Sequence, residues 1–104
     1  MKSIEIKDSN LKEILAVEGI TVIDFWAPWC GPCKIMGPVI DQLAEANPDI
    51  QVGKLNVDEN GTSAAAYGIR SIPTVIVFKD GQKVEQVSGA RPLAQLQEIV
   101  DKHK

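Results

Sequence analysis

Cys30 and Cys33 are the only cysteines of this 104-residue chain, and Gly31 and Pro32 alone separate them. At that spacing two thiols can close a small disulfide ring or stand side by side as a dithiol. Both tryptophans, Trp26 and Trp29, come just before the pair, and Asp24 is a lone carboxyl in an otherwise apolar run. A metal site needs about four ligands. The one histidine, His103, sits in a Lys-His-Lys tail 70 positions past Cys33 (103 − 33). A zinc site would therefore need carboxylates or a second subunit, and none is assigned. A purely structural disulfide closing so short a loop stabilises little, because that effect grows with loop length. Thiol–disulfide exchange is the chemistry this pair suits best.

The elements around the pair favour that chemistry. Ile20 to Ala27 is apolar and β-branched, which predicts a buried strand. Pro32 to Asn47 carries Met36, Val39, Ile40 and Leu43 at helical spacing. The cysteines thus fall on a turn from a strand into a helix N-terminus, where free backbone N–H groups and the helix dipole stabilise a thiolate. Pro32 suits the first helical turn, where its missing N–H costs little. Gly31 leaves room for another chain to approach the sulfur. Cys30, nearer the exposed end, is the expected nucleophile, and Cys33, a turn further in, the expected resolving thiol. A histidine at position 32 would stabilise the thiolate and favour an oxidant; proline adds no charge, so the motif reads as a reductant.

Asp24 admits two readings. One is an edge position or a structurally paired acid; the other is a buried acid–base group whose pKa burial raises toward neutrality. Lys54, amid a neighbouring apolar strand, is a candidate partner that would oppose the shift and so tune Asp24.

The length suits one domain spanning 1–104 with a single core. No apolar run approaches the roughly 18 residues of a membrane span, and the N-terminus leads into a strand pattern instead of a signal peptide. The expected compartment is the cytoplasm, unless a leader has been removed. A net charge of −3 without a basic stripe argues against nucleic acid as a partner, and a monomer is expected.

Around the central motif the chain alternates. Ser3–Lys7 predicts a strand. Ser9 or Asn10 can cap a helix carrying Leu11, Ile14, Leu15 and Val17, ended by Gly19. Pro38 lies inside the long helix. Ile50–Val57 predicts a strand burying Val52, Leu55 and Val57. Thr62–Tyr67 predicts a short helix ended by Gly68. Thr74–Phe78 and Lys83–Val87 predict a hairpin turning at Asp80-Gly81, and Pro92 begins a last helix. The order β-α-β-α-β-α-β-β-α implies an α/β fold: a mixed five-stranded sheet with four helices on its two faces. The cysteines lie at the carboxyl end of a strand, where such sheets place their sites.

Trp26-Ala27-Pro28-Trp29-Cys30-Gly31-Pro32-Cys33-Lys34, Ile72-Pro73-Thr74 and Gly89 together resemble the thioredoxin family over the whole chain. The resemblance implies the thioredoxin fold and a dithiol that reduces disulfides in protein substrates. It also implies re-reduction by thioredoxin reductase, with NADPH used on that enzyme and no cofactor bound here. It supports Asp24 beneath Cys33 as the acceptor of that thiol's proton. It implies a cis bond before Pro73, which turns the Ile72 backbone toward the cysteines to pair with an extended substrate. Trp29, Ile72, Pro73, Gly89 and Ala90 then form a mostly uncharged docking surface. Trp26 is expected to pack beneath the loop, and Lys34, Lys79 and Asp58 to be solvated. Gly37, Asn60-Gly61 and the run Ala64-Ala65-Ala66 depart from the common pattern. A competing reading keeps the fold but uses its apolar face only for binding.

Overall fold

The computed structural model describes residues 3–104. Strand β1 (Ile4–Ile6) is followed by helix α1 (Leu11–Leu15), strand β2 (Ile20–Trp26) and helix α2 (Gly31–Ala46). Strand β3 (Gln51–Asn56), helix α3 (Gly61–Ala66), the pair β4 (Thr74–Lys79) and β5 (Gln82–Ser88), and helix α4 (Leu93–His103) complete the chain. The sheet order is β1-β3-β2-β4-β5. Strands β1, β2 and β3 run parallel, whereas β4 is antiparallel to both β2 and β5.

Strand β2 has neighbours on both sides and helices over both faces, so six of its seven residues are buried. That is why its sequence shows no polar alternation. On one face Val22, Val52, Val75 and Val77 pack against Met36, Ile40 and Leu43 of α2 and Leu96, Ile99 and Val100 of α4. On the other, Ile6, Ile23, Phe25, Leu55, Ile76 and Phe78 meet Leu11, Ile14 and Leu15 of α1 and Tyr67 after α3. Asp24 shares the side-chain parity of Val22 and therefore faces α2.

Helix α1 ends at Leu15, short of the expected Gly19, and Val17 is half exposed. The reason is a competing tie. The Gly19 N–H donates to Asp80 Oδ1 at 2.7 Å and the Gly19 carbonyl accepts from the Asp80 N–H at 2.9 Å, with Gly19 at φ +96°. Asn10 stands at the N-cap without capping, because its side chain accepts the Lys7 N–H instead. Helix α2 begins at Gly31 with Cys30 as its N-cap and continues through Pro38. Asp80 and Gly81 both have positive φ, as a two-residue hairpin turn requires. Val57 falls just past β3 and is only partly buried. Lys79 is not simply solvated: its Nζ donates to the His103 carbonyl at 2.8 Å.

Gly53 is held by close strand approach. A Cβ there would overlap the Ile6 side chain and stand 3.0 Å from the Ile4 carbonyl oxygen. Gly53→Ala is expected to destabilise the protein by about 1–3 kcal/mol, the usual cost of overpacking. A chemical-denaturation midpoint compared with wild type checks this.

Candidate active site

The strand-to-helix turn brings the cysteines together. Their Cα atoms are 5.3 Å apart and the sulfurs are joined as a disulfide. The Cys33 N–H donates to Cys30 Sγ at 3.2 Å, so the sulfur occupies the N-cap position of α2. In the reduced protein the same N–H and the positive end of the helix dipole favour negative charge on Cys30. Cys30 Sγ also lies 3.8 Å from the Ile72 carbonyl oxygen. The expected contrast in exposure is slight, 5% for Cys30 and 3% for Cys33. The bonded sulfurs cover one another, and Ala27, Trp26, Val57 and Ile72 pack around them.

The Ile72–Pro73 bond is cis, and Pro73 is buried while Ile72 is half-buried beside the sulfurs. Gly89 joins this loop through its N–H, which donates to the Pro73 carbonyl at 2.8 Å. Gly89 and Ala90 are both exposed, as are Gly31 and Pro32. Trp29 is 70% exposed, with its indole N–H donating to Asp58 Oδ2 at 2.9 Å. Asp58 is therefore a partner of the site's most exposed aromatic residue, and the expectation that it is merely solvated is corrected. Trp26 packs against the disulfide, beneath the loop.

Asp24 is 1% exposed, and neither of its carboxyl oxygens has a hydrogen-bond partner among the described residues. Burial pushes its pKa up to about 7, and the Lys54 charge opposes that shift without reversing it. Asp24 and Cys33 line one cavity of about 160 Å³ together with Trp26, Lys34, Gly37 and Lys54. Such a space can hold water. Lys54 is the register partner of Asp24 across β2 and β3, yet its Nζ binds Asp41 Oδ2 at 3.2 Å instead. The Ser3 hydroxyl donates to the other Asp41 oxygen at 2.7 Å. Partial burial works against ionisation of Asp41, but the hydrogen bonds from Ser3 and Lys54 outweigh it and hold its carboxyl below the ordinary range. Gly37 is part of this arrangement: a Cβ there would touch Lys54 Nζ at 3.6 Å.

Three side chains of this neighbourhood escape a sequence reading: Ser3, Asp41 and Asp58. Asp41 lies eight residues past Cys33 (41 − 33), about two helical turns along the same side of α2. That spacing is the one signal that points to it. Nothing local marks Ser3 or Asp58, whose partners lie 38 and 29 positions away.

A family model for thioredoxin matches residues 2–102. The chain belongs to the thioredoxin family. Thioredoxin 1 of Synechococcus elongatus is 48% identical over 100 residues, 94% of each chain. A Staphylococcus aureus thioredoxin is 53% identical over 88 residues, covering 82% of this chain and 83% of that one. Among solved structures, a mutant thioredoxin from Halobacterium salinarum superimposes with a TM-score of 0.92 at 35% identity. That match covers 98% of this chain and 90% of the other. The fold is the thioredoxin fold, as the motifs imply. With its cysteine pair at disulfide distance, this thioredoxin-family chain is a thiol–disulfide oxidoreductase, a reductase of protein disulfides. No helix among the described residues is long and apolar enough to cross a membrane.

Proposed function

We propose that Cys30, as a thiolate, attacks one sulfur of a substrate protein's disulfide. A mixed disulfide forms and the other substrate sulfur leaves as a thiolate. Cys33 then gives its proton to the Asp24 carboxylate and attacks Cys30 Sγ. The mixed disulfide breaks, the second substrate thiolate departs, and the Cys30–Cys33 disulfide holds the two electrons' worth of oxidation. The observation that carries this reading is Cys30 Sγ at the N-cap of α2, accepting the Cys33 N–H. The cavity common to Asp24 and Cys33 supports the proton step, since a base with a pKa near the working pH transfers protons best. Lys54 tunes that base.

Gly31 and Pro32 leave the approach to Cys30 open. Trp29, Ile72, Pro73, Gly89 and Ala90 form the surface on which an extended substrate segment lies, with the Ile72 backbone as its pairing edge. Thioredoxin reductase returns the electrons from NADPH, and the compartment is the cytoplasm, where thiols are kept reduced.

A coupled assay tests this. With NADPH, a thioredoxin reductase and insulin as disulfide substrate, NADPH consumption is expected only when this protein is present. Replacing both cysteines with serine should abolish it. Undiminished biological activity of that double variant would favour a binding protein that retains the fold.

A further inference from the structure

Asp24 and Lys54 are register partners on adjacent strands, and Glu5 lies beyond Lys54 in the same row. A lysine there can swing its long stem toward either acid side. It lies against Asp41, in the wall between two spaces. On one side is the cavity of Asp24 and Cys33. On the other is a wider cleft lined by Ser3, Glu5, Trp26, Asp41, Asn56 and Glu59. We propose that Asp41, clamped by Ser3, is a positioning residue that holds the Lys54 ammonium in this wall and so keeps Asp24 without an ionic partner.

The competition has a clear physical basis. Asp41 is about a quarter exposed at its side chain, and Ser3 donates to it through both its hydroxyl and its N–H. Its charge is therefore supported by those hydrogen bonds and by some contact with water, and the ammonium gains from it at neutral pH. Asp24 is buried, and ionising it costs desolvation whether or not lysine comes near. Were the ammonium to reach Asp24, the carboxyl would be held ionised and would become a weak base. With the ammonium held back, its charge acts on Asp24 only from a distance. Among the described residues, the charged and titratable groups around Asp24 are Lys54 from β3, Cys33 and Lys34 from α2, and Glu5 from β1 beyond the lysine. Strand β4 presents only Val75 opposite it. Gly37 lies beside the ammonium: a Cβ there would stand in ordinary contact with Lys54 Nζ, at 3.6 Å. The value of the arrangement rests on Asp24 serving as the proton acceptor, as proposed above.

The test is to titrate Asp24 directly, by the carbon chemical shift of its carboxyl in the oxidised protein. Asp41→Asn is expected to free Lys54 and move the midpoint down by about one unit or more, as for an acid gaining a close cation. Ser3→Ala should move it the same way, by less, and Asp41→Glu should restore it. Lys54→Met should move it up. In the Lys54→Met background Asp41→Asn should add nothing, because the effect passes through the lysine. An equal downward shift in that background would show a direct field effect and overturn the proposal, as would an unmoved midpoint in Asp41→Asn alone. The pH–rate profile of the resolving step separates the two readings. If the midpoint moves and the profile does not follow, the positioning role of Asp41 stands and the base role of Asp24 fails.

Discussion

A Cys33→Ser variant is expected to accumulate as covalent adducts with its substrate proteins, while Cys30→Ser accumulates almost none. In the first variant the attacking sulfur remains at the N-terminus of α2, but nothing is left to break the mixed disulfide from within. In the second, the remaining thiol lies inside the first turn of α2 and is not the sulfur at the N-cap, so it lacks the N–H that Cys30 Sγ accepts. Multiple-turnover reduction should fall on the order of a thousandfold or more in either variant, since each removes a residue required in every cycle. Mass spectrometry of complexes captured from an extract, under non-reducing conditions, decides the order of attack. Adducts enriched on Cys30→Ser instead would reverse the roles of the two cysteines.

Asp24→Asn is expected to stabilise the fold at neutral pH while slowing disulfide reduction. The folded-state pKa of about 7 lies above the ordinary 3.8. Between those values the unfolded chain has released a proton that the folded chain still holds. Unfolding therefore releases a proton in that window, and stability falls as pH rises from about 4 to about 7. The difference of about three units corresponds to at most about 4 kcal/mol at about 1.4 kcal/mol per unit. Asparagine cannot ionise, so the variant should gain up to that amount above pH 7 and almost nothing near pH 4. Denaturation midpoints measured across this range give the difference directly. The kinetic loss should fall on the resolving step, by about 10²-fold or more, the usual contribution of a positioned general base. A variant that is less stable at pH 8 and unchanged in rate would make Asp24 a structural acid.

The three variants probe properties that reach different distances along the chain. Cysteine spacing, the apolar run of β2 and the helical period from Met36 to Leu43 are local, and each sets its element through neighbours within a few positions. The Asp80-Gly81 hairpin is likewise read correctly, because positive φ at both residues is a property of those residues themselves. The last helix starts one residue later than expected, at Leu93, with Pro92 as its N-cap. Strand ends moved by a residue or so where pairing with a neighbour extends them, as at Lys79 and Gln82.

Apart from the Asn10 cap, lost to the N–H of Lys7 three positions away, the larger misses have long-range reasons. Helix α1 stops early because Gly19 is tied to Asp80, 61 positions away. Asn60, marked in the sequence only as part of a departure from the family's pattern, is buried and accepts the Asp8 N–H at 2.9 Å across 52 positions. Asp58 meets Trp29 because the ends of β2 and β3 lie side by side in the sheet.

By itself the sequence determined the dithiol, the strand-to-helix turn that presents it, and the presence of an acid in a buried strand. Those depend on residue type, spacing and burial, which are written along the chain. Only the tertiary structure decided where the charge opposite that acid sits. The sheet order sets Lys54 beside Asp24, α2 brings Asp41 to the ammonium, and Ser3, just before β1, holds the other oxygen of Asp41. A lysine placed between two carboxylates goes to the one whose ionisation water and hydrogen bonds support, and that balance exists only once the chain has folded.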